Sequence, residues 1–216
     1  MNKNLAELKY WQSKYDETTQ SFANGWYKQH MINMTLLEEE KFSNKVIADF
    51  GCGPRGSLAW LDKSSTKIGI DVNVDLYADN FTNAILSHDT IYVKSTEKAI
   101  PIPDDYIDIL VTMNALDHVS DLEVMCDELI RILKPNGIFA GYFNLEELAS
   151  PTEPQCLSEA ILENMLFSKL DVEIYKTSVC GNIPNGTYYE PLYFPEKYPE
   201  YEKGTRGLLW VKAKKR

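Results

Sequence analysis

The chain has 216 residues and a formal charge of −10, with 44% hydrophobic and 25% charged residues, so one globular domain over residues 1–216 can bury a core unaided. That acidity disfavours polyanionic partners, and the basic run Lys212–Arg216 reads as a solvated end, so no nucleic-acid partner is expected. No eighteen-residue apolar run exists to span or bind a membrane, and the start lacks an apolar secretory core. Four isolated cysteines offer no metal-ligand or disulfide spacing, which together place the protein in the cytoplasm with reduced thiols.

Residues 4–15 and 26–41 read as two N-terminal helices around a break at Ala23-Asn24-Gly25, forming a helical cap over 1–44. Val46–Phe50 is a buried strand ending in glycines, and Ser57–Leu61 predicts the start of a helix. Lys67–Asp71, Thr90–Lys94 and Ile107–Thr112 are three more strands, and Pro101 and Pro103 exclude regular structure just before the last of these. Ser120-Asp-Leu-Glu123 matches a capping box opening a helix whose apolar positions are Leu122, Met125, Leu129, Ile132 and Leu133. Pro135-Asn136-Gly137 signals its turn, and Ile138–Phe143 is a fifth strand. A helix at 156–168 and strands near 171–179 and 206–213 complete the chain. The predicted fold is α/β, a doubly wound, mostly parallel seven-stranded sheet with helices on both faces. The last two strands have no helix between them, so they form a C-terminal antiparallel hairpin.

Gly51-x-Gly53-x-x-Gly56 follows the first strand, and Asp71 stands twenty positions after Gly51, which are the letters of a dinucleotide fingerprint. Such a loop lets backbone approach a ligand and serves a pyrophosphate or a carboxylate equally well. Asp49, two residues before Gly51, suits a cationic amino group better than a pyrophosphate. The hairpin also stands where a dinucleotide fold would begin its second half. An NAD-linked oxidoreductase is therefore disfavoured.

The stretches "VIADFGCGPRGSL", "IGIDVN", "STEKAIPIPDDYIDILVTMNALDHV" and "LIRILKPNGIF", in this order, resemble the class I S-adenosylmethionine-dependent methyltransferases of the small bacterial type. The resemblance runs over about residues 45–145. It implies S-adenosyl-L-methionine as cofactor, with Gly51, Gly53 and Gly56 around its methionine end and Asp49 near its ammonium. Many members have their third glycine at the position of Arg55 rather than Gly56. Asp71 would accept from the ribose hydroxyls, Val72 would lie against the adenine, and Thr96 and Glu97 would reach the adenine edge. Asn114 would face the sulfonium, and N-terminal helices often close over the cofactor, which implicates Trp11 and Tyr15.

The residues also admit plainer roles. Asp71 can cap the next helix, Asp49 can accept loop N–H groups, Cys52 reads as a small buried filler, and His30 and His88 read as structural. His118 is either a satisfied structural group or a base beside the methyl group, and Tyr142 and Asn144 share one face at the ligand edge of the fifth strand. The catalytic candidates are thus His118, Tyr142 and Asn144, with no metal motif. The expected activity is methyl transfer to an O or N nucleophile of a small polar molecule, such as a sugar or secondary metabolite. A non-catalytic cofactor-binding or scaffolding subunit would carry the same cradle. Substrate choice falls to the parts outside the resemblance: the N-terminal helices, the segment Leu145–Gln155 within the acceptor side 146–216, and the 181–205 loop, which holds five tyrosines and four prolines; oligomeric state stays open.

Overall fold

The computed structural model describes residues 3–181 and 188–216. In chain order the elements are α1 (Lys3–Gln12), α2 (Tyr27–Thr35), β1 (Val46–Phe50), β2 (Thr66–Asp71), α3 (Val74–Asn80), α4 (Thr82–Ser87) and β3 (Ile91–Lys94). There follow β4 (Ile107–Met113), α5 (Leu122–Ile132), β5 (Leu133–Leu145), α6 (Glu159–Met165), β6 (Leu170–Ser178), α7 (Glu190–Tyr193) and β7 (Gly207–Lys215). The seven strands form one sheet in the order β3-β2-β1-β4-β5-β7-β6. The pairings from β3 to β5 are all parallel, whereas β7 runs antiparallel to both β5 and β6. The hairpin is as the missing crossover requires.

Alternation along the strands divides the apolar side chains between two layers. Ala48, Leu110 and Phe139 join the core that α5 and α6 cover with Met125, Leu129 and Leu162. Ile47, Ile109 and Ala140 join the opposite core, which α2 covers with Met31 and Met34. A third, smaller cluster of Leu8, Phe22, Tyr77 and Phe81 fixes α1 against α3 and α4. The strand order reverses between β1 and β4, so the chain leaves their carboxyl ends in opposite directions and opens a crevice there. Thr112 closes the floor of this crevice, its buried hydroxyl donating to the Phe50 carbonyl at 3.1 Å.

Several elements differ from expectation. Ser57–Leu61 is not a helix but a chain of turns, with Ala59 N–H bonded to Gly56 O and Leu61 N–H to Leu58 O. Ser57 spends its hydroxyl on Asp49, and Leu58 and Leu61 turn down into the α2-side core, which a straight helix would not allow in the few residues before β2. Asp121, not Ser120, caps α5 by accepting from Val124 N–H at 3.2 Å, because the Ser120 N–H is engaged by Glu97 Oε2 at 3.0 Å. Leu133 and the Pro135-Asn136-Gly137 turn belong to β5. There Leu133 pairs with Ile107 and Ile138 with Ile109, so the turn residues are looped out as a bulge with Asn136 left-handed. The second helix stops at Thr35, where Leu36 takes a left-handed cap, and a single 3₁₀ turn at Glu39–Phe42 follows. The helix expected at 156–168 is confined to α6 and a 3₁₀ turn at Phe167–Lys169.

Trp210 on β7 donates its indole N–H to the Met34 carbonyl at 2.9 Å, satisfying one of the last-turn carbonyls of α2 that no helical N–H can reach. Trp210→Phe keeps an aromatic ring and removes the indole donor. It should cost about 1–3 kcal/mol in urea unfolding; an unchanged midpoint and slope would show that the tether does not hold α2 down.

Candidate active site

A cavity of about 610 Å³ opens over the carboxyl ends of β1, β2 and β4, within the range typical of small-molecule sites. Its floor is the glycine loop. Gly51 has φ +72°, and a Cβ there would lie 2.2 Å from the Ala115 Cβ, so only glycine lets the loop pass beneath the residue that follows β4. The loop is pinned back on β2 by Gly51 N–H to Ile70 O at 2.9 Å. Its other glycines make room for protein rather than ligand. A side chain at Gly53 would strike the Trp11 ring, and one at Gly56 would strike His88. Neither Gly53 nor Gly56 lines the cavity.

Two acids flank the loop. Asp49 is 2% exposed and receives the Ser57 hydroxyl; burial pushes its carboxyl up to about 7. Asp71 faces the cavity with Oδ2 receiving Gly53 N–H at 3.1 Å and Oδ1 receiving Asn73 N–H at 2.9 Å. Burial raises it to about 6 against the pull of those two donors. Each oxygen keeps a further lone pair for a ligand hydroxyl. The bond to Asn73, the residue preceding α3, also makes Asp71 a local turn-former, so the binding and structural readings coexist.

Trp11 roofs the loop, with the Arg55 guanidinium 5.4 Å from its ring and 5.8 Å from that of Trp26. Val72, Thr96 and Glu97 line the cavity as well. Thr96 Oγ1 accepts from Ala99 N–H at 2.9 Å, and Glu97 is held by Lys3 at 3.2 Å and Ser120 N–H at 3.0 Å. Asn114 adopts a left-handed backbone just past β4, and its Nδ2 donates to Tyr189 Oη at 3.2 Å. The Asn114 Oδ1, the Asn73 Oδ1 and the Asp117 Oδ1 are buried without hydrogen-bond partners, three orphaned acceptors on residues that line one cavity.

On the far wall stand His118 and Asn144. Asn144 donates to Glu147 at 2.8 Å and receives the Tyr188 hydroxyl at 2.6 Å. Three carboxylates surround His118: Glu7 Oε2 lies 3.7 Å from Nδ1, and Glu153 Oε1 and Asp117 Oδ1 lie 3.7 and 4.0 Å from Nε2. Besides Gly53 and Gly56, two more expected site residues lie outside the cavity wall. Tyr15 lies beyond the end of α1, so it does not share a helical face with Trp11, and it packs on Phe22 and Phe81. Tyr142 is fully buried, stacked on Tyr189 and hydrogen-bonded to the Tyr193 hydroxyl, with the tyrosine-rich segment closing it off from the cavity. Of that segment, residues 182–187 fall outside the described ones.

With the fold and the crevice established, relatedness can be read. Residues 48–141 match the model of a methyltransferase domain. The sheet is that of the class I methyltransferase fold, and the similarity to a methyltransferase domain, a family whose cofactor is S-adenosylmethionine, rests on residues 48–141. A structure of an S-adenosylmethionine-dependent methyltransferase from Aquifex aeolicus is 19% identical, with a TM-score of 0.61 and 98% of each chain covered. The malonyl-[acyl-carrier protein] O-methyltransferase of Enterobacter lignolyticus is 28% identical over 108 residues, 50% of this chain and 41% of the relative. The mitochondrial arginine hydroxylase NDUFAF5 of Homo sapiens is 32% identical over 95 residues, 43% of this chain and 27% of the relative. The chain thus spans less than half the length of these curated relatives. No helix among the described residues is long and apolar enough to cross a membrane.

Sequence patterns missed Asp117 and Glu153. Asp117 was visible only as the neighbour of His118, and Glu153 is separated from both by helix α5 and strand β5, a distance that no motif spacing encodes.

The raised Asp49 carboxyl has a consequence for stability. Its folded pKa of about 7 exceeds the unfolded value of 3.8, so the folded state holds the extra proton between them. The stability of the ligand-free protein therefore falls as pH rises through about 4 to 7. Asp49→Asn removes the ionisation and should be more stable than wild type at pH 8, by an amount on the ~1.4 kcal/mol-per-unit scale, and near neutral at pH 4. Urea unfolding at the two pH values checks this; a variant equally destabilised at both would show that Asp49 holds the loop as a charged group.

Proposed function

We propose that the cavity holds S-adenosylmethionine and that the protein transfers its methyl group to an O or N nucleophile of a small polar acceptor. The observation that carries this reading is the charge of the wall: seven acidic side chains line the cavity against Lys3, Arg55, Arg206 and the imidazole of His118. A pyrophosphate would be repelled there, whereas a ligand with an ammonium and a sulfonium would be drawn in. The turns at Ser57–Leu61 point the same way, because the glycine loop opens no helix whose N-terminal N–H groups could receive a pyrophosphate. The lining residues leave three acceptors, the Oδ1 atoms of Asn73, Asn114 and Asp117, and two donors, Trp11 Nε1 and Arg55 Nε, without partners, which suits a ligand with groups of both kinds, as an adenosyl amino acid has.

When bound, S-adenosylmethionine supplies a methyl group already activated on a sulfonium. The chain's own residues then have to orient and to exclude water. Asp71 offers free lone pairs to a diol, and Asp49 offers a negative charge once a cation displaces its proton. Trp11 covers the loop, with the Arg55 guanidinium and Trp26 packed beside it. The acceptor side falls to His118 and Asn144, with Asn114 between the two halves. His118 can take a proton from an acceptor hydroxyl at Nε2. The wall of Glu147, Glu153 and Asp117 favours an acceptor with donor groups, either a polyol or an amine. The four cysteines are free, which supports a reducing, cytoplasmic setting. A hydroxylase among the relatives keeps a second reading in view, a cradle that serves another reaction or only binds.

Calorimetry should show S-adenosylhomocysteine binding and no NAD binding, and Asp71→Ala should weaken the former by about 1.5–3 kcal/mol. NAD binding in preference, or unchanged affinity in a folded Asp71→Ala protein, would contradict the assignment. With an acceptor found by screening a panel of amines and polyols, His118→Ala should lower turnover by about a hundredfold while leaving S-adenosylhomocysteine affinity intact. Parallel loss of melting temperature, affinity and turnover would make His118 structural.

A further inference from the structure

We infer that Asp117, His118 and Glu153 form a binding site for a single divalent cation, with its open coordination positions facing the cavity. One ligand atom from each residue lies within 4.8 Å of the other two. The separations from His118 Nε2, 3.7 Å to Glu153 and 4.0 Å to Asp117, are too long for hydrogen bonds. They suit ligands of one shared ion, since donors each ~2.1 Å from a metal stand roughly 3–4 Å apart.

A second observation comes from Asp117 itself. It is 4% exposed, and its Oδ1 is buried without any partner while pointing at this gap. A buried carboxylate oxygen left bare is costly, and a cation is what would satisfy it. The imidazole is also oriented for ligation. Nε2 faces the two carboxylates, and Nδ1 turns to Glu7 on α1, the outer carboxylate that metal-bound histidines commonly face.

The three residues are held in register by main chain. Asp117 and His118 lie on the 3₁₀ turn Leu116–His118, and Gln155, two residues after Glu153, donates its backbone N–H to Asp117 O at 3.1 Å and its side-chain amide to Val119 O at 2.9 Å. Glu153 in turn is braced by its N–H to Ser150 Oγ at 3.0 Å. Two carboxylates and one imidazole neutralise a divalent charge and mix the donors preferred by manganese and zinc. An acceptor hydroxyl bound at the open positions would release its proton to solvent more readily than a free hydroxyl does, so that His118 would act there as a ligand and not as the proton acceptor. The site stands independently of the methyl-transfer reading, because it is a property of the protein without cofactor.

The test is titration of the full chain, without cofactor, with Mn²⁺ and separately with Zn²⁺, followed by calorimetry and, for Mn²⁺, by loss of the free-ion resonance signal. One saturable site is expected, weakened about tenfold or more in Glu153→Gln and in Asp117→Asn. Glu153 is partly exposed, so Glu153→Gln should melt like wild type without added metal and remains informative even if the buried Asp117 variant does not fold. Absence of saturable binding of either ion, or equal binding by wild type and a folded Glu153→Gln protein, would overturn the site and leave the cluster a set of carboxylates around an imidazole.

Discussion

A carboxylate buried in the middle of the sheet is the constraint on which the rest of this structure depends. Asp49 occupies an otherwise apolar strand, beneath a loop that can pass over it only because Gly51 and Gly53 take left-handed conformations. A buried carboxyl would ordinarily be excluded from such a position, and it survives here beside the Ser57 hydroxyl with burial pushing it up to about 7. That arrangement costs stability at neutral pH and sets a titrating carboxyl at the place where the strand order reverses. Ser57 cannot serve Asp49 and begin a helix at once, which accounts for the loss of the helix after β1.

The same economy runs through the lid. Trp11 occupies the space that Gly53 leaves open, and Leu8 beneath it is anchored in the Phe22–Tyr77–Phe81 cluster. α1 therefore brings Glu7 to His118 and Lys3 to Glu97, so one short helix contributes to both ends of the cavity. On the opposite side, β7 inserts between β5 and β6 and supplies Trp210 to seal Tyr142, leaving Asn144 as the residue of β5 that reaches the cavity.

The sheet was legible because its signals are local. β1, β4 and α5 announce themselves through apolar runs and helical spacing over a handful of residues, and the absence of a helix between the last strands dictates the antiparallel end. What escaped depends on contacts distant in sequence. Strand alternation correctly set Tyr142 and Asn144 on one face, yet it could not show that Tyr189 and Trp210 would cover the former. Helical spacing joined Tyr15 to Trp11, but α1 ends at Gln12, and although both rings pack on Phe22 only Trp11 also reaches the cavity. The short helices α3 and α4 carry no long periodic stripe and fold because Tyr77, Phe81 and Ala84 pack under α1. Most of the residues that the family resemblance singled out line one cavity, whereas Gly53 and Gly56 lie outside its wall, where they make room for Trp11 and His88.

The central claim is that this methyltransferase domain uses Asp49 and Asp71 to receive the two ends of an adenosyl amino acid. A crystal structure of the complex with S-adenosylhomocysteine tests it most directly. The ribose hydroxyls on the Asp71 carboxylate, the amino group beside Asp49 and the adenine against Val72 are the predicted contacts. A ligand bound elsewhere, or one that leaves Asp71 bonded only to Gly53 and Asn73, would contradict the account.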